Sequence, residues 1–279
     1  MLPLANYDMW EPRLDEYARR FLNGKEWADY QAMAAHERRC QLQRLLDLPV
    51  AQFSWVNEVV FRTLWGSVLA STLPGSNPSV LEIASGAEDC IPQAMARTHP
   101  HGQYAAANMN KQLTAGLLRN TKELSLPIRV IEDDAANMSS HLGTESVDLV
   151  AFHHGVNDVL QAIRCDQEGI DTVDSDWMRT LPRMIELLRA DVDQGTFEDK
   201  VKGPFLGLLT TLRDLLRPGG TMVILHFPFQ MDLDWGYPPD LYEGIIPMTR
   251  RWAEEIEGLT VIDEPGYPDQ WWLFLRKIR

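Results

Sequence analysis

Cysteine, long apolar runs and positive charge are all scarce in this sequence of 279 residues. The three cysteines, Cys40, Cys90 and Cys165, lie far apart without a CxxC pair, which predicts reduced thiols rather than a disulfide framework or a zinc site. No apolar run approaches the roughly 20 residues that cross a bilayer, and residues 1–11 lack the pattern of a secretory signal. We therefore expect a cytoplasmic protein with no membrane partner.

The shortage of positive charge limits the choice of partner. The chain has 26 Lys and Arg residues against 40 Asp and Glu residues, a formal net charge of −14. Such a surface repels a nucleic-acid backbone as well as an anionic membrane. A small-molecule substrate is therefore expected, with no nucleic-acid partner, and the sequence leaves a homodimer open.

The hydrophobic pattern divides the chain at about residue 75. Residues 1–75 show apolar positions at three- and four-residue spacing, which predicts a helical cap or lid. Residues 76–279 alternate apolar strands with helices, and this predicts an α/β fold whose mostly parallel sheet has helices on both faces. Two late strands close together predict antiparallel pairing at one edge. The strands are expected in SVLEIAS, QYAAAN, IRVIEDD, VDLVAFHH, TMVILHF, LTVIDEPG and QWWLFLRKI.

The loops after the first four strands are the candidate site, because ligands bind beyond the carboxyl ends of such strands. In the first loop, Gly86 follows a strand and precedes a helix, where a tight turn aims backbone amides at a ligand. A dinucleotide fingerprint needs GxGxxG, but Gly86 is the single glycine of that pattern in this loop, and Ala84 stands at its first position. Glu88 would also repel a pyrophosphate, which argues against NAD and FAD.

The stretch LEIASG resembles the first motif of class I S-adenosyl-L-methionine (SAM)-dependent methyltransferases, in which an acidic residue precedes GxGxG. Glu82 matches the acidic position and Gly86 the central glycine, while Ala84 stands at the first glycine. Strand order over residues 79–279 is similar to the same family. The resemblance implies a Rossmann-like sheet with an antiparallel last strand, and SAM as the cofactor. The cofactor contacts that it implies are Glu82, Ala84, Ser85, Gly86, Asn108, Met109, Asp134, Ala135 and His153.

The second and third loops resemble the parts of the family's site that contact the ribose and adenine of SAM. Asn108 stands where the family usually has an acid that binds both ribose hydroxyls, and an amide can donate and accept there. Asp134 and Ala135 match the pair that contacts adenine, with Asp133 one residue out of register. The alternatives are structural, with Asn108 as a turn residue or helix cap and Asp134 as a helix cap.

The fourth loop, AFHHGVNDV, places two histidines at the end of an apolar strand, with Asn157 and Asp158 within one turn. Adjacent strand residues point to opposite faces, so at most one histidine should face the site. We assign His154 and Asn157 as candidate catalytic residues, with His154 taking a proton from the methyl acceptor. His153 is assigned to the cofactor side or to packing. The HH-x3-D spacing has no established metal geometry, so no metal is expected.

We expect the cap and two insertions, around residues 158–204 and 227–248, to determine which substrate binds. These segments are rich in aromatic side chains, which suit an apolar ligand and can stabilise a sulfonium through cation–π contact. Plain packing of the cap on the sheet is the alternative for many of them. The substrate candidates are Trp177, Arg183 and Trp235, and the other aromatics are Trp10, Trp27, Trp55 and Tyr237.

The leading hypothesis is a SAM-dependent methyltransferase of secondary metabolism that acts on an oxygen, hydroxyl or carboxylate, of a small molecule. No Ser–His–Asp or Cys–His arrangement stands out, and none is needed, because the enzyme mainly has to hold a nucleophile in line with an activated methyl group. Residues 152–184 are also similar to natural-product enzymes, some of which cyclise SAM to azetidine-2-carboxylate and release methylthioadenosine. A SAM-consuming cyclase is the first alternative, and a non-catalytic SAM-fold binding protein is the second.

Overall fold

A computed structural model describes residues 15–16, 18–19, 22, 24–37, 55–227, 229–264, 267 and 269–278. Its strands are β1 (Ser79–Ile83), β2 (Gln103–Ala107), β3 (Ile128–Ile131), β4 (Val147–His153), β5 (Leu216–Leu225), β6 (Leu259–Ile262) and β7 (Trp272–Lys277). They form one sheet in the order β3-β2-β1-β4-β5-β7-β6. β1 to β5 run parallel, and β7 is antiparallel to β5 and β6. The predicted α/β sheet with an antiparallel last strand is confirmed.

Helices cover both faces of this sheet. The main helices are α1 (Gly24–Ala32), α2 (Trp55–Thr72), α3 (Cys90–Thr98), α4 (Lys111–Thr121), α5 (Val156–Gln167), α6 (Trp177–Asp193), α7 (Phe197–Leu215), α8 (Gln230–Trp235) and α9 (Pro239–Ala253), with a 3-10 helix at Ala135–Ser140. Helices α2 to α4 contribute to one buried cluster, and α5, α6, α7 and α9 to another. Within the described ranges, no helix is long and apolar enough to span a membrane.

Strand β4 shows why each face has its own core. It is buried along its whole length, because it lies in the middle of the sheet. Leu149 and Ala151 point into the cluster that contains α2, while Val150 and Phe152 point into the cluster that contains α7. Since successive strand residues alternate between faces, a strand covered on both sides requires a continuous apolar run.

Helix α2 falls within the predicted cap of residues 1–75 but packs directly on the sheet. Trp65 and Leu69 are fully buried in the same cluster as the α2-facing residues of β4. Arg62 adds an ion pair of 2.8 Å to Asp89, the residue that precedes α3. Helix α2 is therefore a structural layer of the α/β core. The predicted lid role of the cap and its boundary at about residue 75 stay predictions.

Part of the predicted cap, including Trp10 and Cys40, lies outside the described residues. The two described cysteines, Cys90 and Cys165, are buried. Neither belongs to a group of side chains that could hold a metal, since no such group of His, Cys, Asp and Glu occurs among the residues described.

The order of the strands reverses between β1 and β4. The chain moves outward from β1 through β2 to β3, and then returns to place β4 on the other side of β1. Ile83 lies opposite Ala107, and Ala107 lies opposite Ile131. Three strands therefore end at one level, and the loops that follow them leave the sheet from one edge, where such folds bind ligands.

Candidate functional site

A cavity of about 690 Å³ opens at this edge of the sheet. Its floor comes from the loops after β1, β2 and β3, and its walls include one face of α5 and residues 169–173. Small-molecule sites usually occupy about 300–1,000 Å³. The cavity is therefore the candidate functional site.

Six of the predicted cofactor residues line this cavity, although they come from three separate loops. They are Ala84 and Gly86 after β1, Asn108 and Met109 after β2, and Asp134 and Ala135 after β3. The common level at which β1, β2 and β3 end brings them together. Glu82, Ser85 and His153 are buried and do not line the cavity. That the six residues bind a cofactor stays a prediction.

The loop after β1 is held in a conformation that side chains rarely adopt. Ala84 has a φ of +53° and Gly86 a φ of +59°. The amide of Ala84 donates to the carbonyl of Ala107 at 3.0 Å, which fixes this bend against β2. Left-handed backbone at a non-glycine residue costs about 1–3 kcal/mol and is concentrated at functional sites. The strain is therefore consistent with a loop shaped to present its backbone to a ligand.

Asn108 ties the loop after β2 to the loop after β1. Its side-chain amide donates to the carbonyl oxygen of Gly86 at 2.8 Å, and its backbone amide donates to Ile131 at 3.0 Å. The side chain is almost completely buried, yet it forms part of the cavity lining. One amide hydrogen thus has a structural role, and the rest of the side chain is placed where a ligand hydroxyl could reach it.

Glu82 lies beneath the loop after β1. The hydroxyl of Tyr104 donates to its carboxylate at 2.6 Å. Burial raises the pKa of Glu82 to about 8, and the negative charges of Glu88 and Asp89 add to the rise. The side chain supports the loop from inside the core and does not reach the cavity.

Replacing Glu82 with glutamine should change how stability depends on pH. A carboxyl whose pKa is raised by folding stabilises the protein fully below its unfolded pKa of about 4.5, and that contribution is lost as pH rises through about 8. Glutamine has no proton to lose, so Glu82→Gln should become more stable than the wild type above about pH 8. Thermal unfolding between about pH 5 and about pH 9 measures this. The exposed Glu254→Gln is the control, and parallel curves for Glu82→Gln and wild type would contradict the expectation.

The carboxylates of the loop after β3 have structural partners. Asp133 accepts from the amide of Asp134, from Asn137 and from the imidazole of His141, and these hydrogen bonds lower its pKa to about 2. Asp134 caps the 3-10 helix and accepts from the amide of Ala136 at 2.8 Å. The side chain of Asp134 thus makes the cap contact that was the structural alternative, while the adenine contact stays a prediction.

The two histidines at the end of β4 point away from each other, and neither lines the cavity. His153 faces α2, where its Nδ1 accepts from the indole of Trp65 at 3.0 Å. Burial lowers the pKa of His153 to about 3, with His154 and Arg62 contributing. His154 has a φ of +58°, which turns it to the other side. A packing role for His153 fits this environment.

His154 contacts the insertion of residues 227–248. Its Nε2 donates to the hydroxyl of Tyr242 at 3.0 Å, and that hydroxyl in turn donates to Asp232. The ring also stacks on His226 with centroids 4.8 Å apart. His154 therefore belongs to a polar network behind the cavity wall, and its proposed catalytic role stays a prediction.

Asn157 and Asp158 connect this network to the cavity. Both lie in the first turn of α5, where the amide of Asn157 donates to the carboxylate of Asp158 at 3.1 Å. Asp158 lines the cavity, whereas Asn157 is buried behind it. Burial, together with the charge of Asp232, raises the pKa of Asp158 to about 8. Asp158 was not among the predicted site residues, although a carboxylate in the first turn after β4 is a signal that the sequence contains.

Asn110 holds the cover of the cavity in place. It caps α4, and its side-chain amide donates to the carbonyls of Thr172 and Ser175, each at 3.0 Å. This cover is the strap of residues 169–175. Trp177 follows the strap and lines the cavity. The other two substrate candidates lie elsewhere: Arg183 is exposed beside Glu186, and Trp235 is 41% exposed.

The cavity is strongly acidic. Glutamate or aspartate provides six of its lining residues, namely Glu132, Asp133, Asp134, Asp158, Asp166 and Asp171. No Lys, Arg or His occurs among the described residues that line it. Asp171 accepts from the amides of Val173 and Asp174, so three of the six carboxylates stabilise their own loops. The site suits a cationic or neutral ligand better than an anion.

No known protein-family model and no curated protein sequence matches this chain. Among solved structures, a SAM-dependent methyltransferase from Aquifex aeolicus shares 12% identity over 81% of this chain and 98% of its own, with a TM-score of 0.44. An rRNA methylase from Streptococcus thermophilus shares 12% over 78% and 96%, with a TM-score of 0.44. A possible exported protein from Bordetella parapertussis shares 13% over 99% and 96%, with a TM-score of 0.45. These identities and TM-scores are too low to indicate an activity. The fold is established by the strand order and directions of the sheet.

Proposed function

We propose that this chain is a SAM-dependent methyltransferase that acts on a small molecule. The main support for the proposal is the cavity at the edge of the sheet where the strand order reverses. Residues of the LEIASG motif meet those of the next two loops there. Ala84 and Gly86 would hold the methionine part of SAM, Asn108 the ribose, and Asp134 with Ala135 the adenine.

The cavity fits this cofactor in charge as well as in position. SAM would supply a methyl group that is already activated by a sulfonium cation. A lining of carboxylates without basic side chains, in the part of the cavity that the structure describes, favours such a cation. The strap fixed by Asn110 would help to exclude water, and α5 would hold the acceptor in line.

The same charge favours a small molecule over nucleic acid as substrate. Phosphate groups would meet Glu132, Asp158 and Asp166, with no basic partner among the described residues of the lining. Incubation of the protein with SAM and candidate acceptors, followed by mass analysis, tests the proposal. S-adenosylhomocysteine as the product supports methyl transfer, methylthioadenosine would instead indicate the cyclase, and binding without turnover would indicate a binding protein.

Asn108→Ala is expected to weaken SAM binding by about 1–3 kcal/mol. The change removes the hydrogen bond to Gly86 that joins two loops, and it removes the group proposed to bind the ribose. Isothermal titration calorimetry measures the dissociation constant. Asn120→Ala is the matched control, because Asn120 donates to Ala87 of the next turn but does not line the cavity. An unchanged constant for Asn108→Ala would contradict the assignment.

A further inference from the structure

Helix α5 turns one face toward the cavity. Asp158, Ala162 and Asp166 follow one another at four-residue spacing and all line it, with Val159 and Ile163 beside them. Residues four apart lie on one side of an α-helix, so the row places two carboxylates about 12 Å apart along an otherwise apolar strip. Ala162 leaves room between them for a ligand.

Asp158 lies at the end of this row nearest the loops after β1 and β4. It accepts a hydrogen bond from Asn157, but it forms no ion pair with a Lys, Arg or His of the described residues. Behind it, Asp232 and Tyr237 belong to the insertion of residues 227–248, and the negative charge of Asp232 opposes its ionisation. The remaining direction from which a cation can approach is the cavity.

Two neighbouring side-chain amides have oxygens that accept no hydrogen bond. Asn157 and Gln161 are almost completely buried, and the side-chain oxygens of both have no hydrogen bond in the structure. The amide of Gln161 donates to the hydroxyl of Tyr237, which fixes its nitrogen on the insertion side. Buried acceptors without donors are costly, so this wall has capacity for a donor such as an N–H group.

We propose that Asp158 binds the amino group of a small-molecule amine and accepts the proton that its nitrogen must lose to become a nucleophile. This inference rests on the proposed methyl transfer. The ammonium gives one proton to the Asp158 carboxylate, and the freed nitrogen lone pair forms the new N–C bond. The methyl–sulfur bond breaks at the same time, and its electron pair stays on sulfur.

The charge of the site explains why an amine is favoured over the oxygen acceptor that the sequence predicted. A carboxylate acceptor would lie against Asp158 with Asp232 behind it, and like charges repel strongly in a site shielded from water. An alcohol holds its proton too tightly for a carboxylate to remove it efficiently. The bound ammonium would favour the ionised form of Asp158. Because burial raises the pKa of this carboxyl to about 8, it is also a stronger base toward an ammonium proton than an ordinary carboxylate is.

Two cofactor analogues test the role of Asp158. Sinefungin carries an amine where SAM carries its methyl group, whereas S-adenosylhomocysteine carries nothing there. Isothermal titration calorimetry of the full chain should show that the wild type binds sinefungin more tightly by about tenfold or more, as expected for a charged hydrogen bond. Asp158→Asn should reduce that preference to within about threefold and leave the affinity for S-adenosylhomocysteine unchanged.

Asp166→Asn is the matched comparison, because it removes one negative charge from the same helix face. It should retain the preference for sinefungin. A preference that survives in Asp158→Asn, or that is lost equally in both variants, overturns the proposal. Loss of S-adenosylhomocysteine binding in Asp158→Asn also overturns it, since Asp158 would then hold the cofactor. No binding of either analogue by the wild type would instead reject the proposed function itself.

Discussion

Replacing Gly155 with alanine is expected to weaken S-adenosylhomocysteine binding by at least about tenfold and to lower stability by about 1–3 kcal/mol. Gly155 lies where the loop after β4 meets the loop after β1. A Cβ atom there would lie 2.9 Å from the carbonyl oxygens of both Ile83 and Ala84. These are backbone atoms of the bend at Ala84, so neither can move aside without moving the cavity floor. Calorimetry and urea unfolding measure the two effects.

Gly207→Ala is the matched control for this substitution. Gly207 lies inside α7, and a Cβ at that position meets nothing within 4 Å. Alanine is favoured over glycine in a helix by up to about 1 kcal/mol, so the control should bind normally and be equally or more stable. Normal binding by Gly155→Ala would show that contact between the two loops does not shape the site.

Trp65→Ala should cost about 3–5 kcal/mol of unfolding free energy, the largest effect expected in this protein. Trp65 is fully buried between α2 and the sheet, and its ring centroid lies 5.5 Å from that of Trp272. Its removal leaves a cavity and also takes away the donor to Nδ1 of His153, which is buried. Urea unfolding followed by circular dichroism gives the free energy.

Trp235→Ala makes the same chemical change on the surface. Because Trp235 is 41% exposed, its loss should alter stability by no more than about 1 kcal/mol. Equal effects of the two tryptophan substitutions would mean that α2 is a detachable lid. A large difference would establish α2 as part of the core, which places the start of the folded unit before residue 75.

The fold could be predicted from the sequence because periodicity and turn residues specify it locally. The apolar run of β4 and the alternation of strands with helices predicted a sheet covered on both faces, and this sheet is observed. The start of β5 differs from the expectation. The strand was expected in TMVILHF, but it begins at Leu216 and includes the RPGG sequence. The pairing register with β4 shifts there, and Gly219 has a φ of +80°, so the turn residues form an irregularity in the strand.

The residues of the cavity floor could also be predicted from the sequence, because the ends of strands can be located without knowing how side chains pack. Asn108 follows β2 directly, Asp134 lies three residues beyond β3, and β1 to β3 end at one level. The directions of side chains beyond the strands were harder to predict. A positive φ turns His154 toward the insertion, and its contact with Tyr242 joins residues 88 positions apart. No local pattern encodes such a contact.

Asp158 illustrates the same limit. Its environment depends on Asp232 and Tyr237, which lie in a distant insertion, so its pKa could not be judged from the AFHHGVNDV segment. Conversely, Arg183 and Trp235 were selected for side-chain chemistry alone. Helix phase and insertion packing place both away from the cavity lining. Side-chain type identified candidates, but tertiary packing determined which of them surround the cavity.

That this cavity binds SAM is tested most directly by isothermal titration calorimetry of the full chain with S-adenosylhomocysteine. The wild type and Gly207→Ala should bind one molecule per chain, and Gly155→Ala should bind it much more weakly. No heat of binding up to about 1 mM ligand, which corresponds to an affinity weaker than about −4 kcal/mol, would contradict SAM as the ligand of this site. Equal binding by all three proteins would place the cofactor somewhere other than the junction of the loops after β1 and β4.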